Sequence, residues 1–160
     1  MGVAYSDQDI ARFLSEPKLL PPNYRSRLKP RPKKGHSERE LDVLGDLGTH
    51  FRLILRQSDA NALDFSVILA VCPPTSPKVF RVRRHNGKSH EHTNAIEGDR
   101  FYGFHVHQAT QRYQELGYRE DTYAEQTDRY GDIWGALSCL IEECGFTEPD
   151  SPQPQLLEVP

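Results

Sequence analysis

At 160 residues and a formal net charge of −3, the chain is long enough for one domain with a buried core and offers no global electrostatic case for binding nucleic acid. Its hydrophobic share is 36%, and no run of about eighteen apolar residues is present to span a membrane. No charged-then-apolar signal segment opens it. Three cysteines without a CxxC spacing (Cys72, Cys139, Cys144) suit reduced, packed thiols in a cytoplasmic protein.

Ser6 is a good N-cap, and Asp9 three residues on supplies a first-turn carboxylate. A short helix from about Asp7 to Leu14 is expected, with Ile10, Phe13 and Leu14 at helical spacing and Pro17, Pro21 and Pro22 ending it. Residues 1–22 therefore form an N-terminal helical segment. Residues 23–48 read as a basic, partly extended connector. Arg25, Arg27, Lys29, Arg31, Lys33 and Lys34 stand among prolines without an apolar period, and a weakly patterned helix is expected over Ser37 to Leu47. This arm is a candidate for contacting RNA, and equally a solvated linker.

The core domain is expected over residues 49–146. Phe51, Leu53 and Leu55 alternate with Arg52, Ile54 and Arg56 as in a half-buried strand. Asp64 to Cys72 is apolar on both faces, as in a central strand. Val79 to His85 gives a third strand, and Asn86-Gly87 a two-residue hairpin signal. Lys88 to Thr93 returns as a fourth strand and Arg100 to Gln108 forms a fifth. Ala109 to Tyr130, rich in Tyr and Gln, yields no assignment; Tyr113, Tyr118, Tyr123 and Tyr130 suit packing better than a base-stacking platform. Asp132 to Cys144 is the clearest helix, with Ile133, Leu137, Leu140, Ile141 and Cys144 in one stripe, Trp134 beside it in the core, and Gly145 at the C′ position. Residues 147–160, proline-rich and acidic, read as a disordered tail. The sum is an α+β domain: a five-stranded antiparallel meander with N-terminal and C-terminal helices packed on one face.

Four of the seven histidines form two His-x-His pairs, His90/His92 and His105/His107. In a strand, residues i and i+2 share a face, so each pair presents two imidazoles together. A hairpin at Asn86-Gly87 would set His85 opposite Lys88, Arg83 opposite His90 and Arg81 opposite His92. With Phe80, Val82, Phe104 and Val106 inward, one exposed face would carry Arg81, Arg83, His90, His92, His105 and His107. Histidines supply a base and an acid, and arginines oppose the charge of a phosphoryl transition state. That combination points to a metal-independent ribonuclease or phosphodiesterase with no cofactor. His105 and His107 are its leading acid/base residues, His90 or His92 assists, and Arg81 and Arg83 hold phosphate. The same imidazoles, with Glu97, are the alternative metal ligands, although the arginines beside them would repel a dication. The run His90-x-His92-x4-Glu97 also mimics part of a cupin metal motif, but five strands and no second motif are too little for that barrel. His36 and His50 read as ordinary surface residues.

Arg83, Gly87, His92-Thr93-Asn94, His105-Val106-His107, Tyr123-Ala124 and Cys144 together resemble the pattern of an uncharacterised family of small bacterial domains, over Arg81 to Phe146. The chain has Asn94-Ala95-Ile96-Glu97 where that pattern has Asn-Pro-Asp-Gly. A second resemblance is to toxins of a bacterial toxin–antitoxin family built on an arginine strand, a histidine-rich hairpin and a His-x-His strand. These resemblances imply a small cytosolic bacterial or phage protein, a toxin among the expectations, and supply no established activity. RNA or another phosphate-bearing substrate is expected from the histidine–arginine face, with a cognate antitoxin as an expected partner and phage defence as an expected role. A non-enzymatic inhibitor or antitoxin-like binding module is the alternative, and an uncovered sheet face or edge could pair two copies as a homodimer.

Overall fold

The computed structural model describes residues 2–149. Ser6 caps helix α1 (Asp7–Ser15): its hydroxyl accepts from the Asp9 amide at 3.1 Å, and the Asp9 carboxylate accepts from the Ser6 amide at 3.1 Å. Two amides left bare at the helix start are thereby satisfied. Ile10 is buried, and Phe13 and Leu14 rest on the core. After β1 (Lys18–Leu19) and the short α2 (Tyr24–Arg27), the basic segment forms β2 (Arg31–Lys33) and turns into β3 (His36–Leu44).

Two expectations fail here. The connector is not a separate linker, because β2 and β3 belong to the main sheet. The helix expected over Ser37 to Leu47 is strand. Its charged residues favour a helix locally, but Leu41 and Val43 alternate with Glu40 and Asp42. Nine residues pair with β4 (His50–Ser58), from His36 opposite Ser58 to Leu44 opposite His50. Cross-strand pairs from Arg56 to Glu38 and from Arg52 to Asp42, each 2.7 Å, satisfy the charges.

Phe51, Leu53 and Leu55 of β4 face inward opposite Val71, Leu69 and Val67 of β5 (Phe65–Val71). Ile68, Ala70 and Ile54 form a smaller apolar cluster on the outer face, which is why β5 reads apolar on both sides. In β6 (Phe80–Asn86), a bulge opposite Leu69 and Ala70 leaves Val82 as an extra residue between Arg81 and Arg83.

Asn86-Gly87 does not reverse the chain. The Gly87 amide donates to the Phe65 carbonyl and the Lys88 amide to that of Leu63, both at 2.9 Å, so this segment keeps running along β5. The approach demands glycine, since a Cβ at 87 would stand 1.9 Å from the Leu63 carbonyl oxygen. The expected fourth strand shrinks to β7 (His92–Thr93). It pairs only with β8 (Arg100–Phe101), as a ribbon outside the main sheet. The chain then re-enters as β9 (His105–Gln108) directly beside β6, passes α3 (Gln111–Glu115), and adds β10 (Ala124–Gln126) at the edge. The result is α+β with seven antiparallel strands in the order β10-β9-β6-β5-β4-β3-β2, rather than five.

Helix α4 (Ile133–Glu143) is capped by Asp132, whose side chain accepts from the Gly135 amide at 2.7 Å. Ile133, Leu137, Leu140, Ile141 and Cys144 are buried. With α1, it covers the inner face of the sheet. Trp134 is outside that core: it is 37% exposed, with the guanidiniums of Arg25 and Arg39 over its ring. β11 (Phe146–Thr147) pairs in parallel with β1. The fully buried Lys18 closes the join, its ammonium donating to the carbonyls of Phe13 at 2.6 Å, Glu16 at 2.8 Å and Cys144 at 2.6 Å. Thr147 of the expected tail is thus structured, and residues 150–160 lie outside the described residues. No helix among the described residues is long and apolar enough to cross a membrane.

Candidate functional site

In β9, Val106 points into the core, so His105 and His107 share the outer face. Opposite them on β6 stand Asn86 and Arg84, not the expected Arg81 and Arg83. The bulge reverses the alternation beyond Val82. Arg83 therefore lies on the helix side, 3.5 Å from Glu143, and His85 beside it is fully buried. His92 arrives from the β7–β8 ribbon, stacking on His105 (ring centroids 5.4 Å apart) and meeting His107 edge-on (4.9 Å). One ring nitrogen from each of the three lies within 4.8 Å of the others.

Each imidazole is anchored by its remaining nitrogen. His105 Nδ1 lies 2.8 Å from the Gly103 carbonyl and His107 Nδ1 2.8 Å from the Asp121 carbonyl. A carbonyl only accepts, so both nitrogens carry hydrogen. His92 Nε2 lies 2.8 Å from Asn94 Oδ1. The orientation of that amide is fixed by Ala124, whose N–H donates to Oδ1 at 2.9 Å and whose carbonyl accepts from Nδ2 at 2.8 Å. His92 Nε2 must then donate as well. In the neutral form of each ring this assignment leaves Nε2 of His105, Nε2 of His107 and Nδ1 of His92 with the lone pair. Burial pulls the His105 pKa down to about 4 against the opposing Gly103 bond, and burial with the nearby Arg84 charge pulls His107 to about 2. Both are neutral at physiological pH.

The three rings line a cavity of about 270 Å³ together with Asp64, Ser66, Arg84, Asn86, Ser89 and His90. Arg84 is held by its Nε on Asp121 Oδ2, and Arg81 by its terminal nitrogen on Oδ1, both at 2.9 Å. Asp121 is fully buried. One residue thus pairs with both guanidiniums through its carboxylate, leaving one net positive charge, and orients His107 with its carbonyl.

The other expected site residues lie apart or at the edge. His90 is exposed at the rim, with Nδ1 3.0 Å from the Ser89 hydroxyl. Arg81 is outside the cavity lining. Glu97 is committed to Arg112 and to the Tyr113 hydroxyl at 2.7 Å, so it is no partner of the histidines. Strand β2, which carries Arg31 and Lys33 of the basic arm, sits at the opposite end of the strand order, five strand spacings or roughly 24 Å from β9. There Arg31 pairs with Glu40 and Lys33 with Glu38, and Arg25 reaches Ser138. Arg27, Lys29 and Lys34 are exposed. Arg84, Asn86, Ser66, Asn94 and Asp121 are the residues that sequence reasoning misses. Only Asn94 carried a signal, as the third residue of His92-Thr93-Asn94.

A second cluster lies under α4, where a ring nitrogen of His85, the Cys139 thiol and a Glu143 oxygen also fall within 4.8 Å of one another. Arg83 and Arg129 both converge on Glu143 there. Compared with protein-family models, curated proteins and solved structures, the chain matches none, and the chemistry must be argued from the pocket itself.

Proposed function

We propose that the histidine pocket hydrolyses phosphodiester bonds, with RNA as the substrate. The observation that carries this reading is the convergence of three lone-pair-bearing imidazoles and the Arg84 guanidinium on one cavity. Diester hydrolysis needs an activated oxygen nucleophile and positive charge against the phosphoryl oxygens as the leaving oxygen departs. The imidazoles meet the first need as hydrogen-bond acceptors or electron-pair donors, and Arg84 meets the second. Neutral His105 and His107 hold no proton to give at the free nitrogen, so this scheme differs from the acid–base pair expected from sequence. Arg84 also replaces Arg81 and Arg83 as the phosphate-facing cation.

The test compares cleavage of single-stranded RNA and of bis(p-nitrophenyl) phosphate by the full chain and by Arg84→Met. Removing a charge-stabilising donor should lower kcat/KM by about 10²–10³-fold. Turnover no faster than the blank on either substrate, both with chelator and with added Zn²⁺, or wild-type turnover in Arg84→Met, would overturn the reading and favour a binding module.

A further inference from the structure

A base needs one acceptor, yet three converge here, and their opposite nitrogens are all occupied by fixed backbone or amide oxygens. With one ring nitrogen of each within 4.8 Å of the others, three such acceptors crowd one another unless something electron-poor stands between them. A single water cannot serve all three, having two hydrogens to donate. We infer that His92, His105 and His107 bind a borderline transition-metal dication of the zinc class, through His92 Nδ1, His105 Nε2 and His107 Nε2.

Three independent features support the assignment. The first is the donor set, since neutral imidazoles select Zn²⁺, Co²⁺, Ni²⁺ or Cu²⁺ over the hard cations Mg²⁺ and Ca²⁺. The second is the set of anchors. Metal-bound histidines characteristically donate their other N–H to a carbonyl or carboxylate, which fixes tautomer and ring orientation. All three do so, and behind His92 the chain continues from Asn94 Nδ2 to Asp99 Oδ1 at 3.0 Å. The third is reach. At the 4.8 Å limit, the centre of such a triangle lies about 2.8 Å from each corner, so closing on a cation at about 2.1 Å asks for shifts well below an ångström. The arginine charge that argued against a dication is reduced, because Arg83 lies on the other face of the sheet and Arg84 shares the Asp121 carboxylate with Arg81.

Three protein ligands with a cavity opposite them is the arrangement of catalytic rather than closed structural metal sites. The inference deepens the phosphodiesterase reading by naming what activates the nucleophile. A water on the open position would lose a proton to bulk solvent. Its oxygen would form the new bond to phosphorus as the P–O bond to the leaving group breaks, and that leaving oxygen would take up a proton from solvent.

The experiment titrates the full chain, purified without chelators, with Zn²⁺ by calorimetry and with Co²⁺ by visible absorption. One ion per chain is expected, with tetrahedral Co²⁺ bands. Affinity should fall at least 100-fold in His92→Ala and about 10–100-fold in the positioning variant Asn94→Ala, while remaining unchanged in Cys139→Ser. Long-range ¹⁵N NMR of wild-type imidazoles needs no variant to fold: Zn²⁺ must shift Nδ1 of His92 and Nε2 of His105 and His107. Absence of stoichiometric binding, shifts confined to His36, His50 and His90, or retention of affinity in His92→Ala would overturn the site. Metal binding with these signatures but without diester hydrolysis would leave the site standing and sink the phosphodiesterase reading alone.

Discussion

His85 and His107 lie on neighbouring strands with similar burial, yet they differ in what surrounds their nitrogens. His107 is anchored at one nitrogen and lines the cavity. His85 is fully buried, packed against Tyr130 with ring centroids 5.6 Å apart, and among the described residues neither of its nitrogens has a hydrogen-bond partner, although Glu143 Oε1 stands 3.6 Å from Nε2. Burial, with Arg83 and Arg129 adding to it, pulls its pKa down to about 3. The unfolded chain binds this proton below about pH 6.5, whereas the folded chain holds it off until about pH 3. Stability therefore rises with pH across that window, is fully present above about 6.5, and is lost as the medium is acidified. Urea melts between pH 7 and pH 4 should show an acid limb shallower in His85→Leu than in wild type, by up to about 1.4 kcal/mol per pH unit. His105 and His107 weaken the fold in acid in the same sense in both proteins, so superimposable limbs would mean that His85 is protonated within the fold.

At the scale of elements, the bulge in β6 decides which arginine meets the histidines. Helices α1 and α4 were readable in the sequence because Ser6, Asp132 and Gly145 mark their ends and the apolar stripe of α4 repeats over three turns. Strands β4 and β5 were readable from alternation and from a doubly apolar run. The pairing of His105 with His107 on one face needed only the strand period. The bulge was invisible because one extra residue leaves no compositional mark, although it moves Arg84 and Asn86 to the outer face. The β3 strand was hidden for another reason, since Glu38, Arg39 and Glu40 favour a helix locally and only the partner strand overrides them. Asn86-Gly87, a strong hairpin signal in isolation, is used instead for close backbone approach to β5. Gly87→Ala should accordingly cost roughly 1–3 kcal/mol through overlap with the Leu63 carbonyl. The urea midpoint measures it, and an unchanged midpoint would mean that this end of β5–β6 opens freely.

Across the whole molecule, the two terminal segments are joined away from the pocket. Lys18 and Leu20 donate their amides to Gly145 and Thr147 at 2.9 Å, and the Lys18 ammonium unites the end of α1 with the end of α4 while lying 4.4 Å from the centre of the Phe51 ring. Lys18→Met would leave the buried side of three carbonyls without their donor, a loss of roughly 3 kcal/mol or more. Hydrogen exchange should then speed up at the Leu20 amide and at the last turn of α4 together. Acceleration at one without the other would show that the clasp is not a single unit.

Asp121 reaches three residues around the pocket at once. Its carboxylate pairs with Arg81 and Arg84 and its carbonyl aims His107, so charge and direction are set from one position in the α3–β10 loop. Substitutions there cannot be read as a sum of parts. Losing Asp121 releases Arg84 and unsettles the surroundings of His107 at once, and a second change at Arg84 would then find part of its effect already spent. For this protein the electrostatics and the aim of the pocket are inherited together, and any drift in that loop retunes both.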